Sequence, residues 1–589
     1  MGRKTIVAWP AAEYVRGLAR LLLYAIRRKA PPVWVASGAV LAFYGFSARL
    51  RGVLFASIIL AGISTTFRLR GSALSRDLAR VGILLALGLA WGAAAALAET
   101  AGAPPPELSR FAIVSLEGSV AKDSRRTASG NTMMSVRLES ATVASPRFGA
   151  RLEWPRCRPL VLLVTDSADE CAAGREVRAS HLSVIDPEKS LYYASAKNFS
   201  AGPFVSAIAG FRSKVKGAFS ARIAAVSGKA FPLARALLLG VTDEIDGEES
   251  RLFREAGCSH ILSLSGQHLS VLCMLTTLLV AKLLKRGDLA DMASLGFAGA
   301  FTWLAGAGPS LLRSMMMVAA GIFLKRCDRP QQGITILSLA FCAGIGLKPE
   351  DGRSLSFTLS YAAMAGLILL SPRWECVLWR LPPLLSKPLS ASLAALCATA
   401  SLSISAFGSF PPGGLISATI SGPVVLVFMW SLLGASLIGA ALPFLGGAFS
   451  RWHELVHEVL LAVMRLGAIL PPLSVTEASQ KAFASAAIVA LSLFVYAYPY
   501  GEYAFYRIAR ARRAANFAPQ EKNDHSLRFP NRHKNLSRSP RPRDVQAFRP
   551  ELPRRPEREG KALLGAGGFG SSPYMGNRTR HRRHDSPSP

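Results

Sequence analysis

The chain has 589 residues, half of them hydrophobic, with 69 Lys and Arg against 37 Asp and Glu, a formal net charge of +32 and a mean hydropathy of +0.29. That pairing excludes most soluble enzymes, and apolar blocks of roughly 17 to 25 residues, each able to cross a ~30 Å hydrocarbon layer as helix, recur along the sequence. The expected fold is a polytopic α-helical membrane protein, and its basic excess suits cytoplasmic loops or a polyanionic partner.

Residues 1–31 read as a basic cytoplasmic start, with Arg3, Lys4, Arg16, Arg20, Arg27, Arg28 and Lys29 against Glu13 alone. Three transmembrane helices are expected within 32–103, from apolar runs at 32–48, 52–67 and 81–99. Arg68, Arg70, Arg76 and Arg80 crowd the second connection, which the positive-inside rule makes cytoplasmic. Residue 100 then emerges outside. Pro104 to Pro106 mark a boundary, and residues 104–203 change character. Short β-rich runs at 111–120, 133–140, 160–165 and 181–186 alternate with turn residues and predict a small extracytoplasmic β domain, OB-like, inserted after the third span. An OB surface suggests single-strand binding, but thirteen Lys/Arg against eleven Asp/Glu between 104 and 200 fit a merely structural ectodomain nearly as well. Cys157 and Cys171 lie in this region and could pair as a disulfide if it is outside the cytoplasm. The other six cysteines lie in or beside apolar segments, and nothing in the Cys/His spacing suggests a metal or cofactor.

Within 204–230, Arg212, Lys214, Lys216 and Arg222 alternate with apolar residues at helical spacing, the pattern of an amphipathic helix lying in the interface. Residues 231–500 carry the main membrane domain, with apolar runs near 289–306, 309–325, 332–347, 354–371, 388–409, 413–440 and 481–499. The 451–475 region is ambiguous between span and surface helix. The total comes to about 10 or 11 spans. Residues 501–589 form a disordered basic tail, with twenty Lys/Arg and seven Asp/Glu from 507 onward. An inert solvated tail and one that touches anionic lipid or nucleic acid are both open.

Three segments of 231–500 are unusually polar. In the first, Ser259, His260, Ser263, Gly266, Gln267 and Ser270 recur at spacings of three and four, so on one helix they share a face, with Ser265 and His268 beside them. In lipid such a stripe either packs against other polar groups or lines water. In the second, Arg313 stands inside FTWLAGAGPSLLRSMMMVAAGIFL. A central intramembrane arginine costs roughly 2.5–3.5 kcal/mol unless paired or hydrated, which points to the acidic loop Asp243, Glu244 and Asp246 as partner. The alternative places it near the membrane edge, snorkelling. The third segment holds Ser356, Thr358 and Ser360 in an apolar run.

These segments together resemble the ComEC family, inner-membrane proteins that carry transforming DNA into competent bacteria. ALLLG (236–240), the acidic loop and FREAGCSHILSLSGQHLSVL (253–272) look like its G-x-S-H-L-L-x-I-S-G-L-H signature. LAGAGPSLLRSMMM (304–317), FTLSYAAMAGL (357–367) and GGLISATISGPVVLV (413–427) are similar to its later segments, in the same order. Gln267 stands where the family usually has an apolar residue and Thr358 where it usually has Gln. Many members end in a metallo-β-lactamase-like domain, whose H-x-H-x-D-H motif is missing from this sequence; the tail histidines His525, His533, His581 and His584 have no acidic framework.

The resemblance implies a multi-pass protein of the bacterial inner membrane that conducts single-stranded DNA to the cytoplasm, without enzymatic activity of its own. Ser259, His260, Ser263, Ser265, Gly266, Gln267, His268, Thr358 and Ser360 would supply polar lining, and Arg313 one fixed charge. There is no P-loop, so a separate cytoplasmic motor or nuclease and a DNA receptor are implied, besides membrane lipids; a homo-oligomer is left open. The rivals are a transporter of a small anionic or lipid-linked substrate, for which no inverted repeat is visible, and an intramembrane enzyme using Ser265 and His268 at i, i+3.

Overall fold

The computed structural model describes residues 31–45, 53, 56–61, 63–64, 73–101, 113–127, 129–143, 150–153, 159–167, 171–186 and 190–497. The basic start, part of the 52–67 run, Cys157 and the tail with its histidines lie outside these residues.

Helices α1 (Pro31–Gly45) and α2 (Ala73–Ala101) pack as a parallel pair, Gly88 lying against Val35 and Gly92 against Ala39. Their seam is made of small residues, because Gly38 and Gly92 each lie so close to the partner backbone that a Cβ would fall within 3.0 Å of a carbonyl oxygen. Such close approach is how helices associate where apolar lipid removes the hydrophobic drive.

The sheet domain follows α2, as expected. Eight strands, β1 (Ile113–Arg126), β2 (Thr132–Val143), β3 (Ala150–Glu153), β4 (Leu160–Thr165), β5 (Arg175–Ser180), β6 (Ser183–Asp186), β7 (Leu191–Ala194) and β8 (Phe199–Phe204), pair in the order β6-β7-β4-β2-β1-β5-β8, with β3 on β2. All pairs are antiparallel except β4 with β7. Along β2, Thr132, Met134, Val136, Leu138 and Ser140 point inward, and then the phase slips so that Ala141 and Val143 do. The slip coincides with a bulge opposite Glu117 and Gly118 of β1, which adds a residue, flips the alternation and bends the long hairpin around its core. Ile113, Leu116, Leu138, Leu163, Val177 and Tyr192 fill that core, and Cys171 is buried among them. Among the described residues the ladder does not close from β6 to β8. The expected small β domain is thus an eight-stranded, largely antiparallel sheet.

Helix α3 (Ala207–Ser227) then runs against α14 (Gly414–Ala441) and α15 (Gly446–Ala468). Its amphipathic reading is corrected in one respect. Lys214, Arg222, Ile208 and Phe211 are exposed as an interfacial helix requires, but Arg212 is buried and, with Lys216, turns to the sheet domain. Short helices α4 (Phe231–Leu239), α5 (Gly247–Glu255) and α6 (Ser259–Leu262) precede the long ones: α7 (Gly266–Leu284), α8 (Gly287–Ala305), α9 (Pro309–Arg326), α10 (Gly333–Leu347), α11 (Leu355–Leu369), the short α12 (Ser371–Val377), α13 (Pro383–Phe407), and α16 (Ala478–Ala497) after α14 and α15. Leu233, Leu237, Phe253, Leu269, Phe428, Leu432 and Leu460 are at the centre of the helical core.

The chain is mostly helical with a small sheet near its start. Five of the described helices are long and apolar enough to cross a membrane, six if α11 and α12, bent by 47°, count as one span. Of the other expected spans, α1 and α10 have 15 residues each, α9 carries Arg313, Lys325 and Arg326, α8 is not among the five, and the 52–67 run lies partly outside the described residues.

Candidate polar site at three helix starts

The first polar segment is not one continuous helix. Ser263 is extended, α6 stops before it, and α7 restarts at Gly266. The single shared face is therefore not formed: Ser259, His260, Ser263, Gln267 and Ser270 are exposed, but Gly266, which the spacing put in the same stripe, is buried with Ile261, Leu262, His268 and Leu269. His268 leaves the stripe because it caps α7. Its ring Nδ1 accepts from the Ser265 N–H at 3.3 Å while the Ser265 hydroxyl accepts from the His268 backbone. This reciprocal box satisfies two otherwise orphaned donors. It also occupies the ring nitrogen that a Ser265–His268 nucleophile-and-base pair would need.

Gly266 begins α7 against the start of α9. Its N–H donates to Ser310 Oγ at 3.0 Å, and the Ser360 hydroxyl on α11 donates to the same Ser310 oxygen at 3.1 Å. Arg313, one turn further along α9, donates from Nη1 to the Ser360 carbonyl at 2.9 Å. It is only 5% exposed, and its Nε has no partner in the structure. The site thus consists of the first turns of α7 and α9, the second turn of α11 and one guanidinium. Helix starts carry partial positive charge, so those of α7 and α9, with α11 beginning one turn before Ser360, make with the buried arginine a pole suited to an anion.

The acidic loop is not the partner of Arg313. Glu244 pairs with Arg235 of α4, and Asp246 sits at the start of α5 without capping it by side chain. Arg313 meets a backbone acceptor instead, the Ser360 carbonyl, while the hydroxyl of Tyr361, the next residue of α11, donates to the Ala340 carbonyl at 2.9 Å. Nor is Arg313 central, since it is the fifth residue of α9. Thr358 is not brought into the cluster by any hydrogen bond: its hydroxyl turns back to the Ser354 and Leu355 carbonyls. Ser310, by contrast, is the hub, and was not singled out from sequence. The signal was there in Gly-x-Gly-Pro-Ser, a helix break followed by proline at the first helical position and a serine aimed out of the first turn.

The sheet domain sits at this same end of the helices. Lys122 pairs with Asp351 between α10 and α11 at 3.0 Å, and Arg137 approaches Glu350 at 3.8 Å. Asp123 receives both Arg212 Nη atoms at 2.9 and 2.8 Å, Lys216 at 2.6 Å and the Ala173 N–H at 2.8 Å. Burial alone would raise its carboxyl, but these donors overcome that and hold it well below the usual carboxylate range. At the opposite end, Lys325 pairs with Asp291 at 2.6 Å, beside the basic turn of Lys285 and Arg286. On the sheet itself, a groove of about 220 Å³ is lined by Ser115, Glu117, Thr142, Arg178, Asn198 and Ser200. Among the described residues no aromatic ring lines it, and Arg178 is 3.5 Å from Glu117.

One further motif, H-E-x-x-H at 453–457, has the spacing of a zinc protease helix. Here His453 faces the Val226 carbonyl at 2.8 Å and Ser431 Oγ at 3.1 Å, His457 faces Glu249 at 3.2 Å, and Glu454 accepts from the Lys229 N–H. The rings are committed to tying α15 to α3, α5 and α14. Among the described residues no three His, Cys, Asp or Glu side chains are arranged to hold a metal.

Comparison with known proteins supports the sequence resemblance over the helical domain. The family described as "Competence protein" matches residues 237–500. The chain is 27% identical over 158 residues to "Uncharacterized protein YcaI" of Escherichia coli (strain K12), a match covering 25% of this chain and 20% of that protein. It therefore spans only a fifth of that relative's length. No solved structure matches. Residues 237–500, which contain the whole of the three-helix polar site, are a domain of the competence protein family.

Proposed function

We propose that residues 231–500 form a channel in the bacterial inner membrane that passes single-stranded DNA into the cytoplasm during natural transformation, the sheet domain being on the extracytoplasmic side. The observation that carries this reading is the polar pole itself: Ser310 and the Gly266 N–H in the first turns of α9 and α7, Ser360 in the second turn of α11, and buried Arg313. The competence-family domain supplies the biological direction of that chemistry.

The orientation follows from charge. Basic residues at Lys282, Lys285, Arg286, Lys325, Arg326 and Arg329 cluster at the end away from the sheet, and by the positive-inside rule that end faces the cytoplasm. The three helix starts then face the incoming strand. A phosphate arriving there meets N–H dipoles, hydroxyls that replace water, and a single full charge. One cation attracts without gripping, which conduction requires. Exposed Ser259, His260, Ser263 and Gln267 continue the polar surface from the same helix start. The sheet domain is tied to this end of the helices by Lys122–Asp351 and Asp123–Arg212, so it serves as a docked cap. The chain is read as a conduit and not an enzyme, working with a separate DNA receptor and a cytoplasmic motor or nuclease that supplies the driving force.

The test is uptake of labelled transforming DNA into the cytoplasm of cells carrying Arg313→Leu in place of the native gene. Uptake should fall at least about tenfold, with the protein still inserted at normal abundance. Normal uptake by that variant, or by a strain lacking the gene, overturns the reading; accumulation of a small anion or lipid-linked substrate in its place would favour the transporter.

A further inference from the structure

The turn that launches the Arg313 helix does not hold its shape unaided. Gly306 and Ala307 both adopt left-handed backbone, at φ +106° and +48°, and Ala307 has a Cβ to be strained there. Two cations brace the turn from outside. Arg212 Nε donates to the Trp303 carbonyl at 2.8 Å, and Lys348 Nζ donates to the Ala307 carbonyl at 3.3 Å. Arg212 is buried, so water cannot substitute for its partners. Its orientation is set instead by Asp123 of the sheet domain, which takes both Nη atoms in a planar fork. Asp123 is in turn fixed by Lys216 and the Ala173 N–H. A continuous line of hydrogen bonds therefore runs from strand β1 through Arg212 to the 303–308 turn, and Ser310 and Arg313 follow that turn within five residues.

We propose that Asp123 is a positioning residue: by fixing the Arg212 fork it holds the 303–308 turn, so that the seating of the sheet domain sets the geometry of Ser310 and Arg313. The functional half of this inference rests on the conduction reading given above. Lys122, the neighbouring residue of β1, provides the control, because its ion pair with Asp351 also docks the sheet domain but does not touch the turn.

The experiment places a single cysteine at 307 by Ala307→Cys, in the full chain with its native cysteines replaced, and measures its reaction with a soluble maleimide alongside DNA uptake. Asp123→Asn should speed labelling about tenfold and lower uptake to a similar degree, the change expected when a charge-assisted fork is lost. Asp123→Glu should recover both in part. Lys122→Ala should leave labelling within about twofold, because although it takes the ion pair from buried Asp351 it leaves the Arg212 fork and its bond to the turn intact. Unchanged labelling in Asp123→Asn overturns the proposal, as does equal acceleration by Lys122→Ala, which would mean general loosening of the sheet. Fast labelling with normal uptake, while Arg313→Leu abolishes uptake, also overturns it. Fast labelling with normal uptake in both variants refutes conduction through the Arg313 site and leaves the structural link standing.

Discussion

Gly266→Ala is the most discriminating change at the site. A Cβ on residue 266 would fall well inside 3.0 Å of both Ser314 Oγ and Arg313 Nη2, and 3.2 Å from the Ser310 carbonyl oxygen. The carbonyl belongs to the backbone of α9 and does not swing aside. Overpacking of this kind costs about 1–3 kcal/mol, while replacing glycine in a helix returns at most about 1 kcal/mol and less in the first turn. The net loss is about 1–2 kcal/mol of stability. The larger effect is on function: a displaced guanidinium gives up its 2.9 Å bond to the Ser360 carbonyl, a charged hydrogen bond worth about 1.5–3 kcal/mol, so uptake should fall about tenfold or more. Gly296→Ala on α8 is the matched control, because nothing is within 4 Å of its added methyl. It should be neutral or stabilising by up to about 1 kcal/mol. Melting of the detergent-purified proteins and uptake of labelled DNA measure the two effects. If Gly266→Ala melts and transports like Gly296→Ala, the close packing of α7 on Arg313 does not govern the site.

The Asp123 clamp has a definite pH signature. Its folded carboxyl is depressed, so its stabilisation is fully present above the ordinary aspartate value of about 3.9 and is lost only as pH falls through the lower folded value. Hydrogen exchange of β1 should accordingly be flat from about pH 5 to 8 after correction for the intrinsic rate, and a step within that window would contradict the assignment. The H-E-x-x-H helix should behave as a structural element. Chelator should leave the melting temperature unchanged, whereas His453→Ala should cost about 2–4 kcal/mol by opening a cavity and orphaning the Val226 carbonyl; a chelator-induced drop would argue for a bound metal.

Helix positions were legible from apolar length alone: the run at 289–306 became Gly287–Ala305, and 413–440 became Gly414–Ala441. So was the sheet region, because alternation of period two is visible in MMSVRLES whatever it pairs with. Closure was not legible, since it depends on which edge strands meet, and those are short. The polar stripe was found by spacing, but its break at Ser263 was not, as no proline or glycine marks it before Gly266. Arg313 was flagged by cost, and its partner was mistaken for a physical reason. Carboxylates are the obvious counter-charge in sequence, yet a backbone carbonyl carries no letter and can accept the same N–H. Arg212 illustrates the same blindness in reverse. Helical spacing grouped it with Lys214 and Arg222 on a membrane-facing stripe, while a single aspartate 89 residues earlier turned it inward.

The placement of the one deeply buried membrane-domain arginine bears on how a polyanion could pass. At the middle of a long helix its charge would be a deep well, and a strand with a phosphate every few ångströms would be held there. In the first turns of α9 it adds to three helix starts that are themselves positive, so attraction is concentrated at the sheet-domain end and declines along the helices. The basic residues at the far end are exposed or paired, as Lys325 is with Asp291, and hydrated charges of that kind attract weakly. Such a profile draws an anion in at one end without trapping it midway, and it leaves the net pull to whatever consumes the strand beyond. A second buried cation placed deeper, for example by Gly321→Arg on the same helix, should therefore slow conduction even though it raises the total positive charge.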